Sequence, residues 1–140
     1  MKVDPRGQRF AAAITTVVLA AVLVSASPWL LALQAVVFAV GAGAGVRHSP
    51  YGLLYARFVR PRLAPPGELE DAAPPRFAQA VGLAFSLVGL AGYLFVGAWL
   101  GIAATAAALL AAFLNAAFGF CLGCEVYLGV RRLLPAGRAA

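Results

Sequence analysis

Four long apolar stretches alternate with short polar segments along this chain of 140 residues. The stretches cover about 10–25, 29–46, 77–98 and 99–118, and no charged side chain lies within them. Each is close to the ~20 residues that a helix needs to cross about 30 Å of hydrocarbon at 1.5 Å per residue. Only helices and closed barrels satisfy their backbone in lipid, and these runs are too long for barrel strands. The pattern therefore predicts four transmembrane helices.

An internal repeat relates the two halves of the chain. The start of the first stretch aligns with the start of the third, which places Arg9 over Arg76. The basic segments that follow the second and fourth stretches also align, with Tyr55 over Tyr127. The repeat predicts an all-α membrane protein of two parallel two-helix repeats, each followed by a short interfacial amphipathic helix.

The repeat also divides the chain, which we expect to form a single membrane domain over residues 1–140. Repeat one is predicted over 5–61 and repeat two over 76–135. The segment between them, 61–75, contains five prolines and three acidic residues. Such a composition favours a stiff, extended linker lying over the cytoplasmic face.

Composition and charge agree with a membrane protein. The chain is 63% hydrophobic and 11% charged, with a mean hydropathy of +0.89 and a net charge of +6. No Lys or Arg lies in the connections near 26–28 and 97–98, so the positive-inside rule predicts an inner-membrane, multi-pass protein with both termini cytoplasmic. We expect its partner to be the lipid bilayer and not nucleic acid. The predicted membrane-surface anchors are Arg57, Arg60, Arg131 and Arg132.

The two cysteines, Cys121 and Cys124, lie where the fourth apolar stretch meets the basic tail. A lone C-x-x-C is more typical of redox or metal chemistry than of a disulfide scaffold. The repeat places Cys121 over Ser49, which predicts a short helix starting at Cys121 after a break at Gly119. There the helix dipole would favour a thiolate. The alternative is one unbroken helix, in which the dipole would disfavour it.

Three interpretations of the pair stay open. In thiol redox or sulfur-relay chemistry, Cys121 is the attacking thiolate and Cys124 resolves the intermediate. In metal binding, His48 is the third ligand available, and a zinc site would need a further ligand from a partner. In the third interpretation both cysteines pack as small residues. Quinone reduction is a weaker option, because membrane enzymes of that kind usually carry a second cysteine pair. No cofactor is predicted, and whether the chain is an enzyme is left open.

Polar side chains inside the apolar stretches are few. The main ones are Gln34, Gln79 and Asn115, which would either hydrogen-bond between helices or line a path for a substrate. The stretches contain no ionisable side chain, which argues against proton-coupled transport. The sequence also lacks a Ser/His/Asp arrangement and a phosphate-binding loop, so it gives no support to hydrolase or kinase function.

Four motifs resemble a known family: D-P-R-G-Q-R-F at 4–10, S-P-Y-G-L-L at 49–54, P-P-R-F-A-Q-A-V-G at 74–82 and F-G-F-C-L-G-C-E at 118–125. Together they are similar to the bacterial membrane proteins catalogued as domain of unknown function 4395. The resemblance implies a small multi-pass membrane protein without a settled activity. Some relatives are encoded near thioredoxin-like or sulfurtransferase proteins, which implies such a protein as a partner. The alternative is a non-enzymatic scaffold or small-solute channel subunit, which would assemble with further copies of the chain as a homo-oligomer.

Overall fold

The computed structural model describes residues 2–133, and most of them are helical. The predicted end of repeat two and the C-terminus, 134–140, lie outside the described residues. Within the described part the all-α class is confirmed. Its helices are α1 (Pro5–Ser25), α2 (Pro28–Gly43), α3 (Pro50–Leu54), α4 (Ala73–Ala91), α5 (Ala98–Phe118) and α6 (Leu122–Leu133). A π-helical turn extends α3 over Tyr55–Val59 and another extends α4 over Gly92–Val96, while 3-10 turns occupy Val46–His48 and Arg60–Arg62.

The first three helices begin in the same way. Each has a capping residue, Asp4, Ser27 or Ser49, whose side-chain oxygen accepts a backbone hydrogen bond of 2.9 to 3.2 Å. A proline occupies the first helical position after each cap. The cap satisfies one of the unpaired N–H groups, and proline is pre-set for the first turn. These starts follow from local sequence alone.

The lengths of the helices correct the predicted spans. Among the described residues, three helices are long and apolar enough to cross a membrane: Pro5–Ser25, Ala73–Val96 and Ala98–Phe118. The second stretch was expected to reach Val46, but α2 ends at Gly43 after 16 residues. Gly45 then adopts φ +105°, which leads into the 3-10 turn. At 1.5 Å per residue α2 covers about 24 Å, which is less than a typical hydrocarbon core.

The long helices form a bundle in which α1 packs mainly on α5 and α2 mainly on α4, while α4 also contacts α5 and α6. The centre of the bundle is a cluster of Leu19, Val22, Leu31 and Ala108. The outside is apolar as well: Phe95 is 84% exposed and Trp99 is 68% exposed. Such a surface is compatible with contact to lipid.

The linker between the halves returns to the start of the chain. Strand β1 (Lys2–Val3) pairs antiparallel with strand β2 (Glu70–Asp71), with Lys2 opposite Asp71. Arg6 Nη1 also donates a hydrogen bond of 3.0 Å to the Ala64 carbonyl oxygen. The acidic linker therefore lies against the basic N-terminal segment.

Candidate functional site

The two cysteines lie at the junction between α5 and α6. Gly119 ends α5 with φ +68°, a left-handed conformation that glycine adopts without strain, and α6 begins at Leu122. The motif is therefore at the start of a separate helix. The backbone N–H of Cys124 donates a hydrogen bond of 3.1 Å to Cys121 Sγ. Cys121 thus takes the capping role at α6 that Ser49 takes at α3.

The sulfur atoms of Cys121 and Cys124 lie at disulfide-bonding distance, 2.06 Å apart, and their Cα atoms are 5.1 Å apart. Both residues are half-buried, so the pair is open to a reaction partner. When the bond is reduced, the Cys124 N–H and the positive end of the α6 dipole would both stabilise a thiolate on Cys121.

A cavity of about 410 Å³ borders Cys121 between α1, α4, α5 and α6, and Phe38 of α2 completes its lining. We call it the cysteine cavity. Most of its wall is apolar, with many alanines, and none of the described residues that line it is charged. Its polar wall residues are Gln8, Thr15, Gln79 and Asn115.

The three predicted polar residues therefore separate into two groups. Gln79 and Asn115 share the cysteine cavity with Cys121. Gln34 is fully buried outside that lining, and its Oε1 accepts a hydrogen bond of 2.6 Å from the Tyr51 hydroxyl. Within the described part of the chain, Gln34 Nε2 has no hydrogen-bonding partner. Gln34 ties α2 to α3.

A second cavity of about 420 Å³ lies at the N-terminal end of α1, and we call it the N-terminal cavity. It has a mixed charged lining that includes Lys2, Asp4, Arg47, His48 and Arg60. Gln8 and Gln79 line both cavities, but His48 lines only the N-terminal cavity and Cys121 only the cysteine cavity. Across residues 2–133, no three His, Cys, Asp or Glu side chains form a group that could hold a metal ion.

The predicted surface anchors are at the ends of the amphipathic segments. The Arg57 guanidinium lies 5.7 Å from the centre of the Phe58 ring, and that of Arg131 lies 5.9 Å from the centre of the Tyr127 ring. Arg131 and Arg132 occupy the last turn of α6, where the helix dipole stabilises positive charge. Arg60 also borders the N-terminal cavity.

Two arginines have contacts that the sequence reasoning missed. Arg9 Nη2 donates to the carbonyl oxygens of Ala116 and Ala117 at 3.2 and 3.3 Å, near the end of α5. Arg76 donates from Nε to the Ala42 carbonyl oxygen at 2.6 Å, near the end of α2. Carbonyl groups in a last helical turn lack partners within the helix, so both arginines satisfy groups that would otherwise be free. The alignment of Arg9 with Arg76 in the predicted repeat was the sequence signal that could have indicated equivalent contacts.

Asp4 is the centre of a second unforeseen cluster. Its carboxylate accepts a hydrogen bond of 2.8 Å from the Tyr55 hydroxyl and forms a 2.9 Å ion pair with Arg6. The hydrogen bonds from the Arg6 side chain and, to a lesser extent, from Tyr55 lower the pKa of Asp4 from 3.8 to about 2, against an opposing effect of burial. The cluster fastens the π-helical turn after α3 to the start of α1.

The fold is an apolar helical bundle with a hydrophobic outer surface, and an amphipathic helix that starts at a cysteine pair follows its last long helix. These features define a helical protein compatible with a membrane. The chain belongs to the family described as Domain of unknown function (DUF4395), whose sequence profile matches residues 3–132. The resemblance based on the four motifs is thereby confirmed. No curated protein and no solved structure is significantly similar to the chain.

Proposed function

We propose that the chain is a multi-pass membrane protein in which Cys121 and Cys124 carry out thiol–disulfide exchange or sulfur relay at the cytoplasmic face. The observation that carries this proposal is the hydrogen bond of 3.1 Å from the Cys124 N–H to Cys121 Sγ at the start of α6. The same N–H, at the positive end of the α6 dipole, would stabilise a thiolate on Cys121 once the disulfide is reduced. The expected partner is a soluble thioredoxin-like or sulfurtransferase protein.

The exchange proceeds in two balanced steps. The Cys121 thiolate attacks a disulfide of the partner, so that one partner thiolate leaves and a mixed disulfide forms. The Cys124 thiolate then attacks Cys121 Sγ, which closes the intramolecular disulfide and releases the second partner thiolate. In sulfur relay, Cys121 accepts the outer sulfur of a partner persulfide. Attack by Cys124 then releases hydrosulfide and leaves the same disulfide, which a partner dithiol reduces.

The membrane topology belongs to the same proposal. Four crossings, with α2 as a short fourth span, put the start of α1 and the end of α5 on the basic, cytoplasmic side. The internal repeat is supported by paired contacts in the two halves. The ring centres of Phe10 and Tyr55 lie 5.8 Å apart at an interplanar angle of 49°, and those of Phe77 and Tyr127 lie 5.5 Å apart at 50°.

A scaffold or small-solute channel subunit, assembled as a homo-oligomer, is the second candidate. The packing around the motif favours it. A Cβ atom added at Gly123 would lie 2.6 Å from the Ala78 Cβ, so the motif presses closely on α4. In this case the cysteines serve as small packing residues.

Single cysteine variants distinguish the two candidates. Purified protein is reduced and then exposed to glutathione disulfide or glutathione persulfide, and adducts are located by mass spectrometry. We expect Cys124→Ser to retain a mixed disulfide or persulfide on Cys121, because the resolving thiol is missing. The matched Cys121→Ser variant should retain much less. Equal adduct levels in the two variants, or none in either, would reject the thiol proposal in favour of the scaffold.

A further inference from the structure

The cysteine cavity has the properties of a binding site for an uncharged molecule that reaches it through the lipid. Its volume of about 410 Å³ is in the range of small-molecule sites, and its wall is dominated by apolar residues. Three of the helices that line it, α1, α4 and α5, are long and apolar enough to cross a membrane. A ligand would therefore be drawn from the hydrocarbon phase.

The polar groups of the wall narrow the chemistry of that ligand. Gln8, Gln79 and Asn115 carry carboxamides, each able to donate and to accept a hydrogen bond. A phosphate or carboxylate head would find no counter-charge among the described lining residues, and burying it unpaired would be costly. A plain acyl chain would leave the carboxamides without partners. Ring carbonyls and ring hydroxyls match all three.

The remaining wall residue with reactive chemistry is Cys121. On this basis we propose that the cysteine cavity binds the ring of a lipid-soluble quinone, which oxidises the Cys121–Cys124 dithiol. This proposal rests on the proposed function. Two S–H bonds break and one S–S bond forms, and the two electrons and two protons convert both quinone carbonyls to the hydroxyls of a quinol. Asn115 and Gln79 hold the ring oxygens in either state, because an amide pairs with a carbonyl or a hydroxyl.

This route requires no second cysteine pair. On this route the thiol–disulfide exchange of the proposed function runs in reverse: one thiolate of a partner dithiol attacks the Cys121–Cys124 disulfide, and the second partner thiolate resolves the mixed disulfide. The pair is then reduced and the partner oxidised, and the quinone reoxidises the pair from the membrane side. Cys121 borders the cavity and is half-buried, so one sulfur serves both reactions. The electrons pass from the partner's thiols to the quinone.

Electron transfer is tested with full-length protein in nanodiscs, reduced with dithiothreitol and freed of reductant. Decylubiquinone is added, and quinol formation and free thiols are measured together. We expect one quinol for each pair of thiols lost. Ala111→Phe, which fills the cavity from its wall, should abolish the reaction. Asn115→Leu, which removes an amide at similar volume, should slow it about tenfold, the equivalent of one buried hydrogen bond. Ala103→Phe, on the exposed side of α5, should react at the original rate.

Binding is tested separately with a photoreactive quinone and the Cys121→Ser/Cys124→Ser double variant. We expect labelling of α4 and α5 peptides that persists without the cysteines and is lost in Ala111→Phe. Equal labelling of Ala111→Phe and Ala103→Phe shows nonspecific partition and overturns the site. Normal exchange with glutathione disulfide, without quinone labelling or quinol, overturns the quinone proposal and leaves the proposed function standing. Labelling without any thiol exchange overturns the proposed function and the electron transfer with it.

Discussion

Arg9 on α1 and Arg76 on α4 make equivalent contacts in opposite halves of the chain. Each arginine donates hydrogen bonds to carbonyl groups near the end of the second long helix of the other half, α5 for Arg9 and α2 for Arg76. Such carbonyls carry the negative end of the helix dipole, so a guanidinium satisfies both their hydrogen bonding and their charge. The two halves are therefore cross-linked by a matched pair of polar contacts at one end of the bundle.

Replacing either arginine should destabilise the bundle by a similar amount. Because both side chains are exposed, we expect Arg9→Ala and Arg76→Ala each to lower the free energy of unfolding by about 1 kcal/mol, less than the ~1.5–3 kcal/mol typical of hydrogen bonds to charged groups. The measurement is denaturant-induced unfolding in detergent. Arg62→Ala, in an exposed 3-10 turn, is the control and should be neutral. Losses no larger than that of Arg62→Ala would show that these contacts are not stabilising.

Acid should weaken the contacts that Asp4 makes with Arg6 and Tyr55 at the start of α1. The pKa of Asp4 is lowered from 3.8 to about 2, chiefly by the Arg6 side chain, so its ionised form is favoured by folding. The stabilisation is fully present above the unfolded pKa and is lost as pH falls through the folded pKa of about 2. We expect hydrogen exchange over residues 4–10 to accelerate between about pH 4 and pH 2.

The Asp4→Asn variant is the comparison for this effect of acid on hydrogen exchange. Its exchange over residues 4–10 should already be fast at pH 5 and should change little on acidification, once the intrinsic pH dependence of exchange is removed. Glu68→Gln, which changes an exposed carboxylate of the linker, should behave like the original protein. A protected Asp4→Asn helix start at pH 5 would contradict the role given to the carboxylate.

Local signals in the sequence were sufficient for the starts of helices and for the break before the cysteines. Ser49-Pro50 is a cap and first helical residue by chemistry alone, and Gly119 ends α5 as expected. The end of α2 was misplaced, because the apolar run continues to Val46 while the backbone turns at Gly45. Hydropathy measures the solvent preference of side chains and does not register a change of φ.

The cysteine cavity could not be derived from the sequence, because its wall depends on contacts between distant segments. Asn115 and Gln79 were expected to line a path or to join helices, and only the packing of α1, α4, α5 and α6 brings them beside Cys121. The Gln34–Tyr51 hydrogen bond likewise joins residues that no pattern relates. Periodicity assigns a residue to a face of its helix but does not identify the helix that the face meets.

The close packing of α6 against α4 should depend on the small size of Gly123. A Cβ at Gly123 would lie 2.6 Å from the Ala78 Cβ, whereas a Cβ at Gly129 on the same helix meets nothing within 4 Å. We expect Gly123→Ala to lower the free energy of unfolding by about 1–3 kcal/mol through overpacking. Gly129→Ala should raise it by about 0.5–1 kcal/mol through better helix propensity. Urea titrations of the two variants in detergent measure both effects. If Gly123→Ala stabilised the protein, α6 would not pack closely on α4 at this position.

Accessibility of single cysteines should place the two ends of the bundle on opposite sides of the membrane. In cells expressing the original protein, first treated with a membrane-permeant reductant that is then washed away, we expect an impermeant maleimide added outside to leave Cys121 and Cys124 unlabelled, and to label them once the cells are opened. Ala98→Cys in a cysteine-free background reports the opposite end, because it starts α5 at an exposed position. It should be labelled from outside. His48→Cys in the same background tests whether the short α2 completes a crossing, and it should behave like the native cysteines. Outside labelling of His48→Cys together with Ala98→Cys would show that α2 does not span, and the four-crossing topology would fail.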